Sequence, residues 1–421
     1  MFRLAAIAAA LYAGVTGFKV NVSLAAVSLG LSPAAIGLML AMFSLVPILV
    51  GVRGGRMIDR IGVRRPMIGG ALVVALGAVA CAALPHPAVL AIATPCVGMG
   101  LMSFHLGMQH ATGEIGGDAR RTANFNLLTM SFSVAGILGP PLVGAAIDLS
   151  GHRAAFATTV AIAAAVLLLC RRFPFDVHVR TGASAASAAS RSAADAAPGT
   201  TPGATRGSEP GSGPGAEPGS EPGSEPARGG GSPSVFALLA APRLRRLLIG
   251  SLLVSAAWDT FQFAMPLHGA GRGLSASTVG LAIASFSAGS LGVRLVLPYL
   301  VNRMAPARWM VVAITVCIAA YAALPFASDT PMLLALAFVL GIGPGIAQPL
   351  LLAALHGASP RGRTGEAAGL RLTLVSALQL ALPLGLGALV TAAGTSAVFW
   401  TYAAVTGTIG VLLWRERSRG R

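Results

Sequence analysis

Charge is scarce in this chain. Only 10% of its 421 residues are Asp, Glu, Lys or Arg, where a soluble domain carries about 25%, so the chain cannot assemble a water-facing surface of ordinary extent. Lysine is reduced to one residue, Lys19, and aromatics make up 6%. The four cysteines (Cys81, Cys96, Cys170, Cys317) all lie inside apolar runs with neither zinc nor disulfide spacing, so no metal site and no cofactor is expected. The 30 basic residues against 14 acidic ones give +16, a balance that invites a nucleic-acid partner. That partner is excluded, because the arginines are not gathered on one soluble module with interleaved aromatics.

What the chain has is apolar length, with 55% hydrophobic residues. A crossing of the hydrocarbon needs about 20 apolar residues. Six such stretches precede residue 172: 4–28, 33–52, 66–84, 88–111, 124–147 and 154–170. Six more follow residue 246: 247–267, 276–298, 309–326, 331–355, 366–392 and 395–414. The start, Met1-Phe2-Arg3, resembles a signal peptide, but its apolar run continues past Val27 without a cleavage context and reads as the first membrane helix. The fold class expected is all-α, with twelve transmembrane helices in two six-helix bundles, 1–172 and 247–421, joined by a linker over 173–246.

Arginine placement sets the orientation. The turns at 53–65, 120–121, 171–246, 303–308 and 361–363, and the tail from Arg415, hold nearly all of them. The opposite turns contain only Arg153 and Arg272. By the positive-inside rule both termini and the linker are cytoplasmic, which for an arginine-rich, bacterial-looking composition means the cell inner membrane. Residues 181–233, with the repeat Glu-Pro-Gly-Ser, hold almost nothing apolar larger than alanine. Such a segment is expected to be a disordered tether whose ends lie on the order of 40 Å apart.

The chain also repeats itself. At an offset of 243, Asp59-Arg60 and Arg65-Pro66-Met67 fall on Asn302-Arg303 and Arg308-Trp309-Met310, Gly30-Leu31-Ser32 and Gly37 on Gly273-Leu274-Ser275 and Gly280, and His105 on Gln348. At 242, Arg121-Thr122, Asn124 and Pro141 fall on Arg363-Thr364, Glu366 and Pro383. Two halves of the same orientation are parallel repeats about an axis along the membrane normal, a carrier layout with a path between them.

The turn Gly55-x-x-x-Asp59-Arg60-x-Gly62-Val63-Arg64-Arg65 resembles the signature of the major facilitator superfamily, over the whole chain except the linker; Val63 stands where the family usually has arginine. The resemblance implies that this cluster gates the transport cycle. A second stretch, Gly136-Ile-Leu-Gly139-Pro140-Pro141-Leu-Val-Gly144, is similar to the Gly/Pro motif of the antiporter branch, with its last glycine one place late and Ala145 beside it. It implies an exporter, although close helix packing explains the same residues.

Intramembrane polar residues mark the candidate pathway. Asp259 lies 13 residues after Arg246, about 20 Å up a helix, at mid-membrane depth. A carboxylate there must be protonated, paired or wet, and by default marks an ion route. Gln262 shares its face. By the repeat, Gln262 and Asp259 correspond to Lys19 and Thr16, so Lys19 either faces Asp259 across the cavity or snorkels to the interface. His105 and Gln109 share a helix face, while His110 points elsewhere, so no metal pair forms. His105 and Gln348 are candidates to line the path, and Trp258, Phe261 and Phe263 to touch an apolar substrate. Arg371 is expected to snorkel rather than bind an anion, and Arg294 to close its helix.

Together these residues predict a monomeric, proton-coupled secondary transporter with a small-molecule substrate, working by export. The alternatives are uptake of a small organic acid held by Arg371 or Lys19, and a transport-inactive sensor or scaffold using the linker. A membrane enzyme is not expected, because no nucleophile–base constellation is present.

Overall fold

The computed structural model describes residues 1–45, 62–115, 117–172, 241–300, 303–304, 306–358 and 364–419. In lipid only a helix satisfies every backbone group within its own segment, and the described residues contain helices and no strand. In chain order they are α1 (Phe2–Ser28), α2 (Pro33–Leu45), α3 (Arg64–Ala83) and α4 (Pro87–Glu114), then α5 and α6 within Gly117–Arg172. The second half follows with α7 (Pro242–Gly271), α8 (Ala276–Leu300), α9 (Pro306–Ala323) and α10 (Thr330–Ala358), then α11 and α12 within Thr364–Arg419.

Two of these stretches run for 56 residues each. At 1.5 Å per residue one straight helix would extend about 84 Å, nearly three times the hydrocarbon core. Each is broken by one glycine in the left-handed region: Gly151 (φ 81°) separates α5 (117–150) from α6 (152–172), and Gly394 (φ 79°) separates α11 (364–393) from α12 (395–419). The described residues therefore form twelve helices in two bundles, most of them long and apolar enough to cross a membrane. α7 already begins at Pro242, inside the stretch assigned to the linker, with proline in its first turn, where no N–H partner is lost. Residues 181–233, Gly55, Asp59 and Arg60 lie outside the described residues.

The repeat is visible in the backbone. Gly30 and Gly273 (φ 75° and 67°) form a second left-handed pair at the spacing of Gly151 and Gly394. A Cβ on Gly280 of α8 would strike the carbonyl of Pro140 on α5, and one on Gly37 of α2 would strike that of Pro383 on α11. Gly144 likewise abuts the carbonyl of Ala276, and Gly387 that of Pro33. All four contacts superpose at an offset of 243. The proline equivalence is thus Pro140 with Pro383, one residue away from the Pro141 pairing expected from sequence; two adjacent prolines made the register ambiguous. Backbone-to-backbone approach of this kind is how helices associate in lipid, where no hydrophobic force drives them together.

The Gly/Pro stretch therefore builds contact surfaces. Gly139 faces the carbonyl of Ala13 and the hydroxyl of Thr16 on α1, Gly136 faces Ser287 of α8 beside Trp258, and Gly144 carries the seam between bundles. Because Gly144 and Gly280 lie toward the Gly151 and Gly273 turns, the two bundles are joined at that end of the molecule.

Candidate functional site

Between the bundles lies a cavity of about 430 Å³. α1 contributes Tyr12, Lys19 and Ser23; α2 Leu40, Phe43 and Ser44; and α4 a strip from Gly98 through His105 to Gln109. Facing them are Asp259, Gln262 and Phe263 of α7, with Leu372, Ser376, Gln379 and Pro383 of α11. Of the predicted pathway residues, Lys19, His105, Gln109, Asp259, Gln262 and Phe263 meet here.

α7 is fixed from behind. The hydroxyl of Tyr321 donates to the carbonyl of Ala257, and that of Tyr402 to the carbonyl of Leu253 at 2.8 Å. Phe261 stacks on Phe286 with centroids 4.9 Å apart. With its rear face pinned, α7 turns Asp259 toward the cavity. The Gln379 side chain bonds this carboxylate, while Oδ2 is buried without a hydrogen-bond partner. Lys19 is close enough for its charge to act on Asp259, and its ammonium rests 4.2 Å above the Phe43 ring. A cation on an aromatic face keeps part of its stabilisation without a carboxylate, and one Asp259 oxygen is left open to a proton or a polar ligand group.

On the opposite wall both ring nitrogens of His105 are engaged. Nδ1 pairs with the Tyr12 hydroxyl, and Nε2 lies 2.7 Å from the Gln109 amide. Phe132 packs against both Tyr12 and His105 at 4.5 and 5.7 Å. α1 is itself seated by Gly17 against Val143 and Gly139, and by the Asn21 amide donating to the His152 carbonyl at 3.1 Å.

The other candidates lie elsewhere. Thr16 donates to the Tyr12 carbonyl at 2.9 Å and faces α5. Trp258 packs edge-on against Phe286 at 5.0 Å. Gln348 does not line the cavity, because the Arg294 guanidinium of α8 takes its amide oxygen. Arg294 accordingly ties α8 to α10 rather than ending its helix. Arg371 does not simply snorkel; its Nε donates to the Ser251 hydroxyl of α7 at 2.5 Å. In both cases a neighbouring helix offers a nearer acceptor than water. At the turn signature Gly62 is left-handed (φ 76°), Arg64 donates to the Arg171 carbonyl at 2.8 Å, and Arg65 is exposed.

Sequence reasoning missed Tyr12, Ser23, Phe43, Ser44, Ser376 and Gln379. A signal was present for two stripes: Tyr12, Lys19 and Ser23 recur at helical spacing on one face of α1, as do Leu372, Ser376, Gln379 and Pro383 on α11. Among the described residues no group of three or more His, Cys, Asp or Glu side chains could hold a metal ion.

Two parallel bundles around a cavity with a few ionisable groups define the class, a polytopic membrane carrier. The chain belongs to the Major Facilitator Superfamily, whose family model matches residues 4–330 and 247–421. Among curated proteins, no sequence matches. Solved structures share the fold at low identity. A point mutant of the nucleoside transporter NupG superposes with TM-score 0.73 at 14% identity, covering 98% of each chain. A peptide transporter POT in complex with sulfate gives 0.68 at 16%, covering 99% of this chain and 94% of its own. A POT family transporter in complex with 5-aminolevulinic acid gives 0.67 at 12%, covering 98% and 94%. Family and fold together make this a secondary transporter that works by alternating access.

Proposed function

We propose that this carrier moves a small polar organic compound across the cell inner membrane in exchange for protons, with Asp259 as the group that loads and releases the proton. The observation behind this is the Lys19–Asp259 pair. One carboxylate oxygen is buried without a hydrogen-bond partner, and the ammonium sits against Phe43 in the same cavity. An ionisable group at mid-membrane is tolerated where it faces a cavity and marks an ion pathway. Tyr12, His105 and Gln109 supply fixed polar atoms on the other wall, and Phe43 and Phe263 apolar contact, so the ligand carries both donors and an apolar body. The chain works as a monomer with both termini cytoplasmic, one bundle over 1–172, a second from Pro242 onward, and the stretch between them as tether.

Export is the leading direction, on the resemblance of Gly136–Gly144 to the antiporter stretch. The competing reading is uptake of a small organic acid; it is favoured by Lys19 in the cavity and weakened by Arg371 being tied to Ser251. Inside-out vesicles with an acidic lumen separate them. An exporter accumulates labelled substrate in the lumen as protons leave, whereas a proton-driven importer moves substrate out of a preloaded lumen. A screen across nucleosides, short peptides, organic acids and amphiphilic amines that finds no proton-linked movement in either direction overturns the proposal. Deleting 181–233 with transport intact removes the sensor or scaffold reading.

A further inference from the structure

Both seams between the bundles are built on the same glycine contacts, yet among the described residues only one carries a charged tie. At the end of α5, Asp148 reaches the first turn of α8 in the other bundle. Its Oδ1 accepts from the N–H of Ala276 at 3.0 Å and its Oδ2 from that of Ser277 at 2.8 Å. The next amide, Thr278, is taken locally by the Ser275 hydroxyl at 3.1 Å. A helix start leaves its first N–H groups without intrahelical partners and gathers partial positive charge, so a carboxylate from outside suits it. Gly144, one turn earlier on α5, lets the two backbones approach closely enough for that reach.

The equivalent seam is made differently. The residue 243 positions after Asp148 is Thr391, whose hydroxyl donates to its own helix at the Gly387 carbonyl, 2.9 Å away. The start of α2 is capped from within, the Ser32 hydroxyl accepting from the Ala35 N–H at 3.3 Å.

We propose that Asp148 is a one-sided clasp: it holds the central cavity shut at this end by capping a helix of the opposite bundle, and it must release that helix each time the cavity opens there. The clasp needs only alternating access; it is independent of the substrate, the coupled ion and the direction of transport. Asp148 is exposed, so water can take over both the carboxylate and the freed amides once the seam parts. The contact therefore biases the equilibrium between closed and open without locking it.

The test uses the full chain in nanodiscs, with Cys81, Cys96, Cys170 and Cys317 replaced by serine and spin labels at Leu149→Cys and Gly271→Cys. Leu149 is 84% exposed, and a Cβ on Gly271 meets nothing within 4 Å. Pulsed electron–electron distance measurement reads the closed and open populations directly. Asp148→Asn, close to isosteric, raises the ratio of open to closed by roughly three- to tenfold, the scale of one charge at a helix terminus. Ala276→Pro deletes one of the two donors at a position where helices accept proline; it produces a shift of the same sign, and adding it to Asp148→Asn gives less than the sum. Thr391→Val leaves the distribution unchanged. Unaltered distances in both the Asp148 and Ala276 variants, or an equal shift from Thr391→Val, overturn the clasp.

Discussion

The two walls of the cavity come one from each bundle, yet of their helices only α1 and α7 are repeat equivalents, and equivalent positions carry different chemistry. His105 corresponds to Gln348, Lys19 to Gln262 and Asp259 to Thr16. His105 faces the cavity between Tyr12 and Gln109, whereas Gln348 is held by Arg294 outside it. Asp259 reaches the cavity from α7, while Thr16 bonds back to its own helix on α1. The four seam contacts of Gly37, Gly144, Gly280 and Gly387, by contrast, fall at equivalent positions. Helix association in lipid depends on close backbone approach, which both copies need equally. A transport site needs only one copy of each functional group. The duplication therefore preserved the packing and left the polar positions free to diverge.

The largest expected break in this asymmetry is Asp259→Asn. Proton-driven accumulation in reconstituted vesicles falls on the order of 100-fold, the scale of removing a proton-transfer group, while equilibrium substrate binding persists. Thr16→Val in the equivalent position leaves accumulation nearly unchanged. Equal losses in the two variants would abolish the distinction between the walls.

Next in size are the shared contacts. Gly280→Val and Gly37→Val each push a side chain into a proline carbonyl, at a cost of about 1–3 kcal/mol from overpacking. Matched drops in thermal stability and transport are expected, and a marked difference between the two would show that the seams are mechanically unequal even in their packing. Tyr12→Phe removes one hydrogen bond from His105, worth about 1 kcal/mol, and weakens substrate binding roughly fivefold. Gln348→Leu lowers the unfolding temperature, because it strands the Arg294 guanidinium, and leaves binding untouched. The smallest effect belongs to Thr391→Val, within about 0.5 kcal/mol of the parent in thermal unfolding.

The architecture was legible because it is written in length and period: long apolar runs, arginines on alternating turns and glycines repeated at 243 residues. The site was legible only where a polar residue is costly in lipid, which singled out Asp259, Lys19, His105 and Gln109. Tyr12, Ser23 and Ser376 cost little in an apolar helix, and nothing local to their own helices, or to that of Gln379, shows which face meets the other bundle. Arg294, Gln348 and Arg371 were misread for a related reason. Each is satisfied by one residue on a different helix, a pairing fixed by tertiary packing and invisible to spacing along a single span.

Lys19 gives the molecule an unusual chemical property. It is the only ε-amine in 421 residues, and it projects into the cavity. Apart from the α-amine of Met1, an amine-selective acylating reagent has a single target, and that target lines the cavity between the bundles. The rate of that one modification reports, without any engineered label, how often the cavity admits solvent and how far a bound ligand shields it.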